Sequence, residues 1–547
     1  MILVVATTGE GDATDNAIKF NRYITAKSTP TDALTGLKYT VFGLGDLNYI
    51  NFNQMGKRTE INMDRLGALK IYPRGIGDAS QDIEADLRRW IDGGLIETVR
   101  ENVPNLTKTG SKPVVVLNSG IPDLLELKYS PSQSPVKTKG SSTLSKVFWT
   151  LSEGSIIKSS ELRQESDEKS STREIVLKIS DIYEPCDSIE ILPRNSSESF
   201  NWMIKRFRIS ESSLNDLIDF DPKSGNPTVK RLPFPTPCTL AHALCYYIDI
   251  QTCPTRTFLS NLAVLNRSNP EVEEALSALA NDAHLMKDLD SHFVSVRDLI
   301  ELFDHAFGSP LKISLSEFLQ IAPKQRVRAY TGASIKNEKN EAKIIVSLTA
   351  RDKPEIQPLL TRLVDAGILP SVATFARESN QFRGTCSGYL CNPVSEKIFY
   401  RVRPSVLRPP ADNPPVVLAI VTGAGIAPVM AYLEACKQAS MYLVFGCQSS
   451  SKDFLYREKL LENPRVRSWF AFSREGNRKV YVQDLVRETK EIHQVISDIC
   501  GKGGRILICG NTSMGRSVCE VIASQIGGQS QLESLEKCGK LVVEYFG

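Results

Sequence analysis

The sequence predicts a chain of α/β plus β class, built from several domains. Apolar runs that end in glycine turns and lead into helical spacing occur near both ends of the chain, at residues 2–6 and 416–422. Residues 172–179 in the middle alternate between polar and apolar side chains. Strand, turn and helix in succession are typical of parallel α/β sheets, whereas alternation with a period of two is typical of half-buried antiparallel strands.

Composition indicates an ordinary globular protein. The 547 residues suffice for roughly three or four domains. The net charge of +3 gives no reason to expect nucleic acid as a partner, and no apolar run approaches the ~20 residues of a membrane span. The 12 cysteines include no C-x-x-C pair and the five histidines are dispersed. We therefore expect a cytoplasmic chain without a metal site.

The Gly423-Ala424-Gly425 turn is the feature around which the last domain is organised. It follows the apolar run 416–422 and precedes Pro428, which is placed to start a helix. Backbone N–H groups at such a helix start suit a pyrophosphate. A tight turn without a ligand is the alternative, because the full dinucleotide fingerprint is missing.

Three glycine turns also follow the strands of the first hundred residues, beginning at Thr7, Gly43 and Gly75. The carboxyl ends of parallel strands meet at one edge of a sheet, where ligands bind. Glycine beside Thr, Asp and Tyr suits a flat ring with polar edges such as a flavin, and Tyr49 could stack on it. The alternative is that these glycines only make tight turns.

The middle of the chain predicts a linker and then a β domain. Residues 104–145 are rich in Ser, Pro, Thr and Lys, a linker composition. The β domain, residues 146–408, carries a helical insert at about 196–320. Ser295-x-x-Asp298 and Ser314-x-x-Glu317 resemble capping boxes at helix starts within that insert.

Two further groups of side chains predict anion sites. Arg328, Tyr330 and Thr331 share a strand end, and a loop with glycine and small hydroxyl residues (383–390) could oppose it. The alternative is that Arg328 is a solvated strand charge.

The second group contains a hydroxyl, a guanidinium, an ammonium and a phenol at Ser473, Arg474, Lys479 and Tyr481. Such a set would bind the 2′-phosphate that distinguishes NADPH from NADH. A basic surface loop is the alternative.

The order of these motifs resembles the diflavin reductases. The resemblance rests on Thr-x-Gly-Glu-Gly-Asp, Phe-Gly-Leu-Gly-Asp, Tyr-Glu-Pro-x-Asp, Arg-x-Tyr-Thr, Arg-Gly-x-Cys-Ser, Gly-x-Gly-Ile-Ala-Pro, Phe-Gly-Cys, Phe-Ser-Arg-Glu, Lys-Val-Tyr-Val-Gln and Cys-Gly. It implies a truncated flavodoxin-like α/β domain (1–103), the linker, an FAD-binding antiparallel β-barrel with a helical connecting insert, and a Rossmann-like NADP-binding α/β domain (409–547).

The resemblance also implies which residues hold each cofactor. FAD would be bound by Arg328, Tyr330, Thr331, Gly384, Cys386 and Ser387. NADPH would be bound by Gly423, Gly425, Cys447, Ser473, Arg474, Lys479, Tyr481 and Gln483. FMN would be lined by Thr8, Gly9, Gly45, Tyr49, Gly77 and Asp78. Thr331, Cys509 and Glu544 would lie beside the hydride-transfer atoms, and Phe546 would cover the flavin ring.

The implied activity is electron transfer from NADPH to FAD, to FMN and then to a protein acceptor. Within the family the chain is most similar to members that reactivate cob(II)alamin methionine synthase by reductive methylation. One rival is a reductase of the sulfite or cytochrome type, and another is a non-catalytic partner-binding remnant.

Departures from the family pattern favour weaker nucleotide binding or an altered hydride step. They are Val421, Thr422, Ala424, Gln448, Asn511, Glu544 and Phe546. Family members also carry a strand and an FMN phosphate loop before anything that matches Met1. We therefore expect the first domain to be N-terminally incomplete, with residues 2–6 as an exposed edge strand.

Overall fold

The computed structural model describes residues 1–8, 11–14, 17–45, 52–78, 83–102, 125–130, 151–221, 233–371, 374–377, 379–392, 397–476 and 478–545. The predictions for Gly9, Tyr49 and Phe546 lie outside these residues, and so do those for the side chains of Thr8 and Asp78. None of the helices in the described ranges is long and apolar enough to cross a membrane.

The first hundred residues form an α/β sheet flanked by helices. Its strands are β1 (Ile2–Thr8), β2 (Asp12–Ala13), β3 (Lys38–Gly45), β4 (Leu69–Lys70) and β5 (Gly75–Asp78). The helices are Ile18–Thr25, Gln54–Arg65, Ile83–Trp90 and Ile96–Asn102, with a π-helical turn at Ile91–Leu95. The order is β2-β1-β3-β4, and β5 also pairs with β3. Strands β1, β4 and β5 all run parallel to β3, so the predicted parallel α/β sheet is confirmed.

Strand β1 buries one face and exposes the other. Val5 packs with Ile24 and Met55, whereas Ile2 and Val4 are each about half exposed. Residues 2–6 pair with β3 on one side, and within the described part of the chain β2 reaches only Thr7 and Thr8 on the other. Residues 2–6 thus form an edge strand, as expected from the sequence.

The middle of the chain contains the predicted antiparallel β domain. Its strands are β6 (Glu126–Ser130), β7 (Ser152–Glu161), β8 (Thr172–Lys178), β9 (Ser188–Leu192), β10 (Leu217–Asp221), β11 (Cys238–Thr239), β12 (Arg328–Thr331), β13 (Glu341–Ser347), β14 (Ala350–Asp352), β15 (Gln381–Arg383) and β16 (Lys397–Arg403). The main sheet has the order β12-β9-β16-β7-β8-β13. An isolated bridge between Gly332 and Ile344 joins its two outer strands at one point.

The helical insert is confirmed by the structure. Its helices are Ser197–Phe207, Leu240–Tyr246, Arg256–Leu265, Pro270–Asn281, Ala283–Ser291, Val296–Ala306 and Leu315–Ile321. Ser295 and Ser314 both form the predicted capping boxes, with Asp298 and Glu317.

Two further elements pack on this insert. Helix Gln357–Asp365, which the sequence did not predict, adds Leu359, Leu360 and Leu363 to the core of the insert. Strand β6 lies inside the predicted linker and pairs antiparallel with β10, so it forms the outer strand of the small sheet β11-β10-β6. The domain boundaries themselves stay predictions.

The last part of the chain forms the predicted Rossmann-like sheet. Its strands are β17 (Val416–Thr422), β18 (Ser440–Cys447), β19 (Val466–Phe472), β20 (Arg505–Gly510) and β21 (Leu541–Tyr545), in the order β19-β18-β17-β20-β21. The helices of this part are Ala427–Ala435, Arg457–Leu461, Val482–Glu488, Lys490–Lys502, Thr512–Ile526 and Gln529–Lys537. A further helix, Thr385–Cys391, lies earlier in the chain, between β15 and β16. Strands β17, β18 and β19 are parallel. The interiors of β17 and β18 are buried on both faces, whereas the outer strand β19 is only partly buried.

A buried carboxylate organises the point where the β domain continues into this sheet. The Asp187 side chain has no exposed surface. Its carboxylate accepts hydrogen bonds from both Nε and Nη2 of Arg408, which follows β16. The same carboxylate accepts hydrogen bonds from the backbone N–H groups of Glu184 at 2.9 Å and Ser405 at 3.3 Å. The backbone carbonyl of Asp187 accepts a hydrogen bond from the N–H of Gly332 at 2.8 Å. The Asp187 side chain therefore joins its own turn to residues 405–408, and the backbone carbonyl of the same residue binds Gly332.

We expect Asp187→Ala to destabilise the β domain by about 2–3 kcal/mol, because the bidentate pair and two backbone donors lose their acceptor. Calorimetry would show this as a lower transition temperature. Glu184→Ala in the same turn is the control, since Glu184 is exposed and contributes only its backbone here. Equal melting of both variants would contradict the assignment.

Candidate coenzyme and flavin sites

The glycine turn after β17 has an open surface. Gly423 has φ +52°, in the left-handed region, and a Cβ built on it would meet no atom within 4 Å. Gly423–Ile426 is a single 3₁₀ turn, and helix Ala427–Ala435 follows with Pro428 in its first turn. Glycine is thus required by the backbone conformation, and the space beside it is free to receive a ligand such as a pyrophosphate.

Three neighbouring strand ends bring the glycine turn, Cys447 and Ser473 together. Thr422 pairs with Gly446, and Cys447 pairs with Phe472. The backbone N–H of Ser473 donates to the Cys447 carbonyl at 3.0 Å. The glycine turn, Cys447 and Ser473 therefore follow the carboxyl ends of adjacent parallel strands, where ligands of open α/β sheets bind.

The cations of the predicted anion pocket are exposed. Within the described part of the chain, no ion pair involves Arg474 or Lys479, whereas the neighbouring Arg478 pairs with Glu488 at 3.1 Å. Tyr481 is 44% exposed. Because no carboxylate of the described residues pairs with Arg474 or Lys479, both cations can bind a phosphate.

The side-chain oxygen of Gln483, Oε1, is buried and lacks a hydrogen-bond donor among the described residues. The preceding residue, Val482, packs against Gly446 near the end of β18. Its side chain lies 2.8 Å from the position that a Cβ on Gly446 would take. A buried acceptor without a donor is costly, so this site fits a coenzyme that supplies an N–H or O–H group.

The two segments predicted to bind FAD meet in the structure. The Tyr330 hydroxyl lies near the Cys386 thiol, and burial raises the pKa of Cys386 to about 11 and that of Tyr330 well above its usual value. Arg328 is exposed and donates to the Arg326 carbonyl at 2.8 Å, with no carboxylate partner among the described residues. The Arg328 guanidinium retains donors for a phosphate.

The start of helix Thr385–Cys391 is fixed by close packing. Gly384 donates its N–H to the Thr349 carbonyl at 2.8 Å, and the Ser387 hydroxyl accepts the Thr349 N–H at 3.1 Å. A Cβ on Gly384 would lie 2.9 Å from Ser387 Oγ. Gly384 therefore has a packing role whether or not FAD is bound.

The predicted hydride-transfer residues occupy three strands. Thr331 is half-buried at the end of β12 and pairs with Ser188. Cys509 is buried in β20, and Glu544 lies on β21, the next strand of that sheet. Asn511, one of the departures, caps helix Thr512–Ile526 by accepting the N–H of Met514 at 2.9 Å. Their catalytic roles stay predictions.

The FMN residues that the structure describes also have a packing role. A Cβ on Gly45 would lie 2.8 Å from the Asn53 nitrogen, and one on Gly77 would lie 2.7 Å from Ile83. The close approach explains glycine at both places without a ligand. Their contact with FMN remains a prediction.

Sequence reasoning missed a carboxylate beside the coenzyme site. Glu475 accepts the hydroxyls of Ser449 at 2.7 Å and Ser450 at 2.8 Å. These hydrogen bonds hold the pKa of Glu475 below its usual value. The serine run 449–451, which begins two residues after the end of β18, was the available signal. No cluster of potential metal ligands occurs in the described ranges.

Comparison with known proteins identifies three domains in succession. Residues 1–90 match the flavodoxin model, 152–355 the FAD binding domain, and 419–520 the oxidoreductase NAD-binding domain. The chain therefore has the domain composition of the diflavin reductases, with FMN, FAD and NADPH as its cofactors. NADPH-dependent electron transfer through two flavins is the activity of this class.

Relatives extend this similarity along the chain. The chain is 27% identical to a Dictyostelium discoideum NADPH–cytochrome P450 reductase over 96% of its own length and 78% of the relative. The human protein of that name is 26% identical over all of this chain and 79% of the relative. A bifunctional cytochrome P450/NADPH–P450 reductase of Bacillus cereus is 26% identical over 94% of this chain and 45% of the relative.

The backbone at Gly423 gives a prediction. Gly423→Ala places a Cβ on a left-handed residue and should cost about 1–2 kcal/mol, with weaker coenzyme binding because the turn must change conformation. Gly501→Ala, in a helix and also without atoms near its Cβ, should leave stability equal or slightly higher. Thermal melting with and without NADP⁺ measures both effects. An unchanged Gly423→Ala protein would show that the turn is not constrained.

Proposed function

We propose that the chain is an NADPH-dependent diflavin reductase whose acceptor is methionine synthase, returning its cob(II)alamin to activity by reductive methylation. The preference for NADPH is carried by one observation, the exposed and unneutralised Arg474 and Lys479 beside the strand-end crevice. The acceptor rests on the motif resemblance, chiefly Thr7-Thr8-Gly9 and Gly43-Leu44-Gly45-Asp46 followed by Tyr49.

Bound flavins and nicotinamide would supply the redox chemistry, and the protein's part is binding and orientation. The turn at Gly423 and Gly425 would hold the pyrophosphate with its backbone N–H groups. Arg474 and Lys479 would bind the 2′-phosphate, and Gln483 Oε1 would accept a hydrogen bond from the coenzyme.

The β domain would bind FAD, again through backbone and side-chain contacts to the bound cofactor. Arg328, Tyr330 and Thr331 would bind FAD, with Gly384, Cys386 and Ser387 at its pyrophosphate.

Cytochrome P450 is the second candidate acceptor. It is named in the relatives that match this chain almost end to end at 26–27% identity. Identity at this level accommodates different partners, because acceptor choice depends on surface side chains that the shared fold does not fix. For either acceptor we propose a cytoplasmic site of action, on the cysteine content alone.

Arg474→Ala combined with Lys479→Ala should raise the KM for NADPH by roughly 100-fold, since two charge-assisted contacts to the phosphate are lost. The KM for NADH should change little, because NADH lacks that phosphate. Steady-state reduction of a dye acceptor measures both values. Arg478→Ala is the matched control, as this arginine already pairs with Glu488. An unmodified protein that prefers NADH would contradict the anion pocket.

The acceptor is tested by supplying purified protein and NADPH with either cob(II)alamin methionine synthase or a cytochrome P450. We expect reactivation of methionine synthase at the lower protein concentration, because the front-domain motifs resemble those members of the family. Flavin content is measured first by denaturation. Reduction of the cytochrome alone would favour the second candidate, and a protein without FAD would favour a non-catalytic partner-binding role.

A further inference from the structure

An acidic residue sits next to the cation that is assigned to the coenzyme phosphate. Glu475 directly follows Arg474, and Lys479 lies four residues further along the chain. A carboxylate at this place would ordinarily pair with a neighbouring cation and compete with a phosphate for it. In the described part of the chain, neither Arg474 nor Lys479 makes such a pair.

The reason is that Glu475 is held by another loop. One oxygen of its carboxylate accepts the Ser449 hydroxyl at 2.7 Å, the Ser450 hydroxyl at 2.8 Å, and the Ser450 backbone N–H. Hydroxyl and amide donors stabilise a carboxylate without adding a positive charge. Glu475 thus stays ionised while it leaves the nearby cations unneutralised.

The loop that supplies the serines is itself fixed from two sides. Asp453 accepts the backbone N–H groups of Gln448 at 3.0 Å and Ser449 at 2.7 Å. Gln164, in the loop between β7 and β8, exchanges hydrogen bonds with the backbone of Phe454 at 2.9 and 3.1 Å. The backbone of this loop is therefore held at Gln448, Ser449 and Phe454 by contacts that do not involve Glu475.

We propose that Ser449 and Ser450 are specificity-determining residues of the coenzyme site, because they hold the Glu475 carboxylate away from Arg474 and Lys479 and so keep these cations available for the 2′-phosphate. The inference rests on the proposed use of NADPH. It concerns residues that need not touch the coenzyme themselves.

The test compares three variants of the full chain. Ser449→Ala with Ser450→Ala should raise the KM for NADPH about fivefold, the effect of one exposed ion pair formed by the released Glu475. Adding Glu475→Gln to this pair of changes should restore the KM, since no carboxylate is left to compete. Glu475→Gln alone should leave it within about twofold of the starting value, the lower end of the same range.

The readouts separate this role from simple loop support. Inhibition by adenosine 2′,5′-bisphosphate should weaken with the serine changes and recover in the triple variant, whereas inhibition by 5′-AMP and the KM for NADH should stay constant. Ser440→Ala, an exposed serine at the other end of β18, is the control for loss of a hydroxyl.

The proposal is overturned if the serine changes have no effect, or if Glu475→Gln makes their effect worse instead of relieving it. An unmodified protein without preference for NADPH would instead contradict the proposed function, before any variant is compared. Bound FAD and melting temperature, measured on each variant, identify any loss of folding.

Discussion

The ion pair between Asp187 and Arg408 is the constraint on which the arrangement of the β domain and the following sheet depends. Asp187 is fully buried, so its charge is tolerated only because Arg408 and two backbone N–H groups surround it. The backbone carbonyl of Asp187 also accepts the N–H of Gly332, immediately after Thr331, so the end of the strand that carries Arg328 and Tyr330 is bound to the same residue.

The same network continues into the coenzyme-binding sheet. Arg505, at the start of β20, donates to the Tyr432 hydroxyl at 2.9 Å, to the Val406 carbonyl at 2.7 Å, and to the Arg408 carbonyl. Tyr432 lies on the helix that begins after the glycine turn. A chain of hydrogen bonds thus runs from the turn at Asp187 to the helix that follows the proposed pyrophosphate site. This group of polar contacts joins the residue that binds Gly332 to the helix after the glycine turn.

Local signals in the sequence predicted much of the fold. The capping boxes at Ser295 and Ser314 and the glycine turn at Gly423 are short-range features, and the structure has all three. The apolar run of β17 likewise predicted a strand buried on both faces. Such signals need no knowledge of distant residues, because caps and turns are decided within one or two helical turns of chain.

What the sequence could not predict depends on contacts between distant segments. Glu475 and Ser449 are 26 residues apart in the chain, and Asp187 and Arg408 are 221 apart. Whether an acidic residue neutralises Arg474 or turns to serines is decided by where two loops meet. Helix Gln357–Asp365 was missed because its leucines are explained only by the core of the insert on which they pack.

In the proposed function, this chain accepts electrons from NADPH into bound flavin through a site that binds the 2′-phosphate. The direct measurement is the anaerobic absorbance of the purified protein after one equivalent of coenzyme is added. We expect NADPH to bleach the flavin band and NADH at the same concentration to do so far more slowly. Absence of bound flavin, or equal bleaching by both coenzymes, would contradict it.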